Sequence, residues 1–126
     1  MQGDVTKPES LVEPFQGANV VFYACSGKNY DQCLAVDEVA LGTTAQKCKE
    51  AGVGRMLMVS SQLVHPDNKT HFIRGMLNTL VTGLFSSRGM MDMKWSGEQL
   101  LRQSGQEYTI MRPGRLNDGA HKSAQP

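Results

Sequence analysis

The chain alternates between short, wholly apolar runs and longer stretches with helical spacing. Residues 20–24 read Val-Val-Phe-Tyr-Ala and stop at Cys25-Ser26-Gly27. Hydrophobicity that is continuous rather than alternating predicts a strand covered on both faces, as in a parallel sheet. Residues 31–51 place Val36, Val39, Ala40 and Thr43 at helical spacing. Lys47 and Lys49 fall in the last turns, where they favour the negative end of the helix dipole, and Gly52 is a natural stop. A second apolar run, Met56-Leu57-Met58-Val59, predicts a strand over 55–60. Residues 61–69, with Pro66 and Asp67-Asn68, read as a loop.

Residues 70–87 carry Phe72, Ile73, Met76, Leu77, Leu80, Val81, Leu84 and Phe85, a stripe that predicts a second helix. The stripe suits a lid over a ligand site, a core helix or, least well, a membrane-surface helix, since Arg74 and Arg88 are the cations nearby. A third helix is predicted over 91–104, stopped by Gly105. A third strand over 108–112 is broken by Pro113-Gly114. Residues 1–18 are polar, punctuated by Pro8 and Pro14, with one helical turn near 10–13. The end from Asn117 is polar, and residues 120–126 read as a tail.

Strands separated by helices imply right-handed crossovers and an α/β fold with a parallel sheet. Such sheets take ligands at the carboxyl ends of their strands. Here those ends are Cys25-Ser26-Gly27, Ser60-Ser61 and Pro113-Gly114-Arg115, all small or polar.

Length and charge narrow the classes. The 126 residues fit one domain, and a hydrophobic share of 40% supports a core. A formal net charge of +1, with basic residues scattered, argues against a nucleic-acid partner. No apolar stretch is long enough to span a bilayer, so no membrane partner is expected. Cys25, Cys33 and Cys48 form no C-x-x-C pair. They read as three reduced thiols of an intracellular protein, without a disulfide framework or a metal site. His65 and His71 lack a metal-ligand spacing. Nothing separates a cytoplasmic from an organellar (plastid) location.

Four segments together resemble the NmrA-like, atypical short-chain dehydrogenase/reductases. They are Gly3-Asp4-Val5; Val36-Asp37 leading into Ala51-Gly52-Val53-Gly54-Arg55-Met56-Leu57-Met58-Val59-Ser60-Ser61; Lys94-Trp95-Ser96-Gly97-Glu98-Gln99-Leu100-Leu101; and Ser104 through Leu116, with Arg112-Pro113-Gly114-Arg115-Leu116 at its end. The resemblance covers nearly all of residues 3–119. It implies a partial Rossmann-type parallel sheet with flanking helices, binding NADP(H) or NAD(H). Asp4 would then lie beside the adenine. Cys25, Ser26 and Gly27 would line the ribose and pyrophosphate side. Ser60 or Ser61 would be the active-site serine. Lys94 would match the lysine of the Tyr-x-x-x-Lys pair and bond the nicotinamide ribose. Pro113, Gly114, Arg115 and Leu116 would pass beside the nicotinamide.

Two departures follow. The residue four before Lys94 is Met90, and a thioether cannot donate the proton a phenol gives. The chain also contains no G-x-x-G-x-x-G turn, which in the family precedes Gly3-Asp4-Val5 and places a helix N-terminus on the pyrophosphate. Residues 1–119 are therefore expected to be the C-terminal part of such a domain, with dinucleotide binding weak or absent in this fragment. An edge at residues 20–24 would be left open to self-association. The resemblance implies hydride transfer between a nicotinamide and a small substrate in an intact form. The alternatives are a non-catalytic module that senses dinucleotide or binds a partner, and an inactive truncated product.

Overall fold

The computed structural model describes residues 2–83, 86 and 88–114. A 3-10 turn (Pro8–Leu11) runs into α1 (Val12–Phe15), followed by β1 (Val20–Tyr23). One continuous helical rod comes next. It comprises α2 (Tyr30–Gln32), a π-helical stretch (Cys33–Val39) and α3 (Ala40–Glu50). Then come β2 (Arg55–Val59), a 3-10 turn (Pro66–Asn68), α4 (Phe72–Thr82), α5 (Met90–Gln103) and β3 (Tyr108–Met111). The expected order of strands and helices is the observed one.

Local chemistry sets the ends of these elements. The Asn29 side chain accepts the Gln32 N–H at 2.9 Å and starts the rod. The rod stops at Gly52, which takes a φ of 75° that a side chain would disfavour. At the start of α5 the Asp92 carboxylate accepts the Gly89 N–H at 2.8 Å. The π-helical stretch was not legible in the apolar spacing, which reads the same through one wider turn.

The three strands form a parallel sheet in the order β1-β2-β3. Val21 pairs with Met56 and Tyr23 with Met58, and Met58 pairs in turn with Ile110. Side chains alternate across a strand, so these residues share one face. That face meets Leu11, Phe15, Leu41, Ala45, Cys48 and Leu101 in the core. The helices α1, α3 and α5 thus lie on one side of the sheet.

The expectation that the first strand is covered on both faces is corrected here. Val20 is 43% exposed and Phe22 69% exposed, and Met111 on the same face is 40% exposed. Among the described residues this second face is open at Val20, Phe22 and Met111, so a continuous apolar run reports what could be buried, not what is. The outer edge of β1, among the described residues, also has no strand beside it.

α4 decides against one of the three readings of its stripe. Arg74 is 2% exposed, whereas Phe72 and Leu80 are each 74% exposed. The core reading of its stripe therefore fails. Leu84 and Phe85, the end of that stripe, lie outside the described residues.

Candidate functional site

The carboxyl ends of the three strands lie side by side, and most of the predicted site residues gather there. After β1 the chain turns through Cys25, Ser26 and Gly27 back onto the helical rod. A Cβ at Gly27 would sit 2.3 Å from the Cys33 nitrogen, so only glycine allows this approach. From the other side α5 presses on the same rod. A Cβ at Gly97 would stand 2.1 Å from the Asp37 carbonyl oxygen.

Asp37 sits where these two approaches meet. It is 1% exposed and lies inside the π-helical stretch, a distortion common at functional sites. One carboxylate oxygen accepts the Lys94 ammonium at 2.6 Å. The other accepts the Gly27 N–H at 2.9 Å, and the Ser26 hydroxyl lies 3.5 Å from it. Lys94 is thus a buried, paired lysine rather than a solvated one. The Cys33 thiol, pushed up to about 11 by burial and then by the adjacent Asp37 carboxylate, stays protonated near neutral pH. Burial likewise pushes the Tyr23 phenol well above its ordinary value, and its hydroxyl donates to the Val36 carbonyl at 2.6 Å. Met90 lies on this side too, its sulfur 3.9 Å from the Ser26 hydroxyl.

A second group forms at the ends of β2 and β3. The Ser60 N–H donates to the Met111 carbonyl at 2.7 Å, and the Gln62 N–H to the Pro113 carbonyl at 3.3 Å. These bonds hold the Ser60-Ser61 and Pro113-Gly114 turns together. Ser61 turns its hydroxyl to the Leu63 N–H. The Ser60 hydroxyl is buried and has no hydrogen-bond partner among the described residues. Arg112 is held in two places on the buried Glu98 carboxylate and lies over the Trp95 ring at 5.6 Å. Trp95 in turn meets His65 edge-on at 5.0 Å. Arg74 fixes the loop after β2, donating to the carbonyls of Leu63, Val64 and His65 and to Asp92.

Asp4 stands apart from both groups. It is exposed, and its carboxylate accepts the Thr6 N–H and hydroxyl, which hold its pKa below the ordinary value. Beside its segment a groove of about 380 Å³ runs between Val5, Thr6 and Pro8 and the rod residues Asp31, Leu34 and Ala35. Arg115 and Leu116 lie outside the described residues. Asp37, Arg112 and Arg74 were missed as site residues. The Val36-Asp37 pair was visible as part of the resemblance, but nothing in the sequence joins position 37 to position 94.

A nicotinamide cofactor fits this donor set in part. The two Lys94 N–H groups that Asp37 leaves over suit ribose hydroxyls, and the unpartnered Ser60 hydroxyl suits an oxygen of the substrate. The Gly27 N–H does not suit a pyrophosphate, because Asp37 already takes it.

The fold and the site define a Rossmann-like α/β protein with polar donors at the carboxyl ends of its strands. The family model for NAD(P)H-binding proteins matches residues 1–125, and the chain belongs to that family. No curated protein matches it. Solved structures share the fold. An oxidoreductase, ylbE, from Lactococcus lactis is 19% identical, with a TM-score of 0.71 over 95% of this chain and 51% of its own. A Bacillus halodurans protein assigned to the NAD-dependent epimerases/dehydratases is 22% identical, with a TM-score of 0.68 over 94% and 50%. The enzyme WbmG of Bordetella bronchiseptica, solved with NAD and UDP, is 18% identical, with a TM-score of 0.64 over 89% and 36%. The chain thus spans about half the length of the first two. Among the described residues no helix is long and apolar enough to cross a membrane.

Proposed function

We propose that residues 1–119 are the later part of a dinucleotide domain of the NmrA-like kind, working on a nicotinamide cofactor and a small substrate inside the cell. The observation that carries this reading is that Lys94 is tied through Asp37 to the turn at the carboxyl end of β1, with the unpartnered Ser60 hydroxyl at the end of the adjacent strand, in a chain of an NAD(P)H-binding family. A bound nicotinamide would supply or accept the hydride. Lys94 would orient the nicotinamide ribose with its two remaining N–H groups. The Ser60 hydroxyl would hold the reacting oxygen, with Pro113 and Gly114 closing the wall beside it. The groove beside Val5 and Asp31 is apolar enough to take the adenine. α4, anchored through Arg74, would serve as a lid over the substrate mouth.

Affinity in this 126-residue stretch is expected to be millimolar rather than micromolar, because it contains no glycine-rich turn and its Gly27 N–H is taken. Titration of NADH and NADPH followed by NMR tests this. Micromolar binding would show that another segment supplies the pyrophosphate contacts. Complete silence at saturating ligand would remove the dinucleotide reading.

A second reading, a non-catalytic sensing or partner-binding module, is favoured by Met90. Its sulfur lies 3.9 Å from the Ser26 hydroxyl, and it stands four residues before Lys94, where the resemblance puts a phenol. Met90→Tyr in a form carrying the glycine-rich unit separates the two readings. A gain in NADPH oxidation with quinones or small carbonyls supports a reductase scaffold, and no gain supports the module.

The open edge of β1 suits pairing with a second copy of this chain. Light scattering is expected to show association that grows with concentration. Phe22→Glu, at an exposed position, is expected to abolish it while leaving the fold intact. A wild-type chain that stays monomeric at high concentration would remove this proposal.

A further inference from the structure

We propose that α4 is a pH-sensitive element, its first turn held by the neutral imidazole of His71 and released when that ring takes up a proton. The inference stands apart from the dinucleotide reading, because it concerns the segment that leaves the sheet after β2. Its basis is a pair of caps of the same kind. The His65 Nδ1 accepts the Asp67 N–H at 3.1 Å and starts the 3-10 turn at Pro66. The His71 Nδ1 accepts the Ile73 N–H at 3.2 Å and starts α4. An asparagine or serine in such a place accepts whatever the pH. An imidazole nitrogen accepts only while it carries no proton. Once protonated, the ring donates from both nitrogens, and its charge stands at the positive end of the helix dipole.

The two rings differ in what would receive their charge. His65 has the Asp67 carboxylate 3.3 Å from its Nδ1 and meets the Trp95 ring edge-on at 5.0 Å. The Arg112 guanidinium lies over the same Trp95 ring, and Arg74 donates to the His65 carbonyl. A charged His65 would exchange the Asp67 N–H for the Asp67 carboxylate. His71 has no such exchange at hand. Between Asp67 and Asp92 the chain has no Asp or Glu, and the charged residues next along it are Lys69 and Arg74, both cations. From α5, Asp92 faces α4, but Arg74 engages it at 2.9 Å and the Gly89 N–H at 2.8 Å. Charging His71 therefore removes a cap without a carboxylate of its own segment to take up the charge. The effect reaches the sheet through Arg74, in the first turn of α4 and 2% exposed. Its guanidinium holds the Leu63 and Val64 carbonyls on the loop after Ser60-Ser61. Fraying the first turn loosens that hold at the carboxyl end of β2.

The test uses the full 126-residue chain, with amide hydrogen exchange read by NMR and corrected for its intrinsic pH dependence. The Gly75 N–H reports the first turn of α4, since it donates to the His71 carbonyl at 3.1 Å. The Gly83 N–H, donating to the Thr79 carbonyl at 3.0 Å, reports the last turn. From about pH 8 to about pH 5, the span in which imidazoles change charge, protection at Gly75 is expected to fall about tenfold, the scale of a lost cap joined to a charge opposed to the dipole. Gly83 is expected to change by less than about twofold, because the dipole effect is confined to the end turn. His71 is exposed, so replacing it leaves the core undisturbed. His71→Asn, a cap that does not titrate, should keep protection at Gly75 constant across the range. His71→Ala should show the low value throughout. His65→Asn should leave the pH dependence at Gly75 in place. The proposal is overturned by equal losses at Gly75 and Gly83, or by no loss at Gly75. It is equally overturned by a pH dependence that survives in either His71 variant, or by one that disappears in His65→Asn.

Discussion

Lys94→Met is expected to cost the folded state about 3–5 kcal/mol, the range for stripping one partner from a buried ion pair. Asp37 is 1% exposed, and the substitution leaves its charge facing a thioether. The Gly27 N–H would remain as its close donor, at 2.9 Å. That bond stabilises a carboxylate less than the lost ammonium did. Adding Asp37→Leu should recover most of the loss, because an apolar pair of similar volume needs no desolvated charge. Recovery should be incomplete, since the Gly27 N–H then loses its acceptor, a penalty of about 1–3 kcal/mol. Denaturant unfolding of the wild type, both single variants and the double variant gives the coupling directly. A single variant as stable as wild type would mean that the pair is open to water in solution. It also follows that any affinity measured in Lys94→Met alone mixes folding with binding.

The sheet was legible because its three apolar runs are short and bounded by Gly, Pro or Ser. Observed β1, β2 and β3 fall within a residue or so of the runs at 20–24, 55–60 and 108–112. α5 was legible as a segment over 91–104 stopped by Gly105. The facing of α4 was not. Its apolar residues are at helical spacing whichever way the helix turns, and what decides is Arg74. That guanidinium binds three carbonyls of one loop and so carries the polar side inward. Periodicity alone leaves lid, core and membrane-surface readings open and cannot weigh one well-placed arginine among them. The site was half legible for a related reason. Ser26, Gly27, Ser60 and Pro113 sit at strand ends, which the order of elements locates. The Asp37–Lys94 pair spans 57 positions and depends on the π-helical turn and on Gly97, so only the packed structure joins it.

The same logic of buried pairs gives the second large effect, at Arg112. Its guanidinium meets both oxygens of Glu98, which is fully buried, and that contact raises its pKa further. Arg112→Met keeps apolar contact with Trp95 but strands the Glu98 carboxylate. Arg102 lies 3.7 Å from that carboxylate, yet its side chain is 38% exposed, so it offsets little. The expected loss is again about 3–5 kcal/mol, smaller to the extent that Arg102 can swing inward. Arg102→Ala, by contrast, should cost no more than about 0.5 kcal/mol. Glu98→Leu combined with Arg112→Met should return most of the stability. The local consequence is as informative as the global one. Arg112 immediately precedes Pro113-Gly114, and the Gln62 N–H donates to the Pro113 carbonyl at 3.3 Å. Freeing Arg112 should therefore speed amide exchange at Gln62 beyond what the lower global stability accounts for, whereas Arg102→Ala should leave it unchanged. Uniform acceleration across the chain in Arg112→Met would mean that the Glu98 pair supports the core alone and does not set the turn at the carboxyl end of β3.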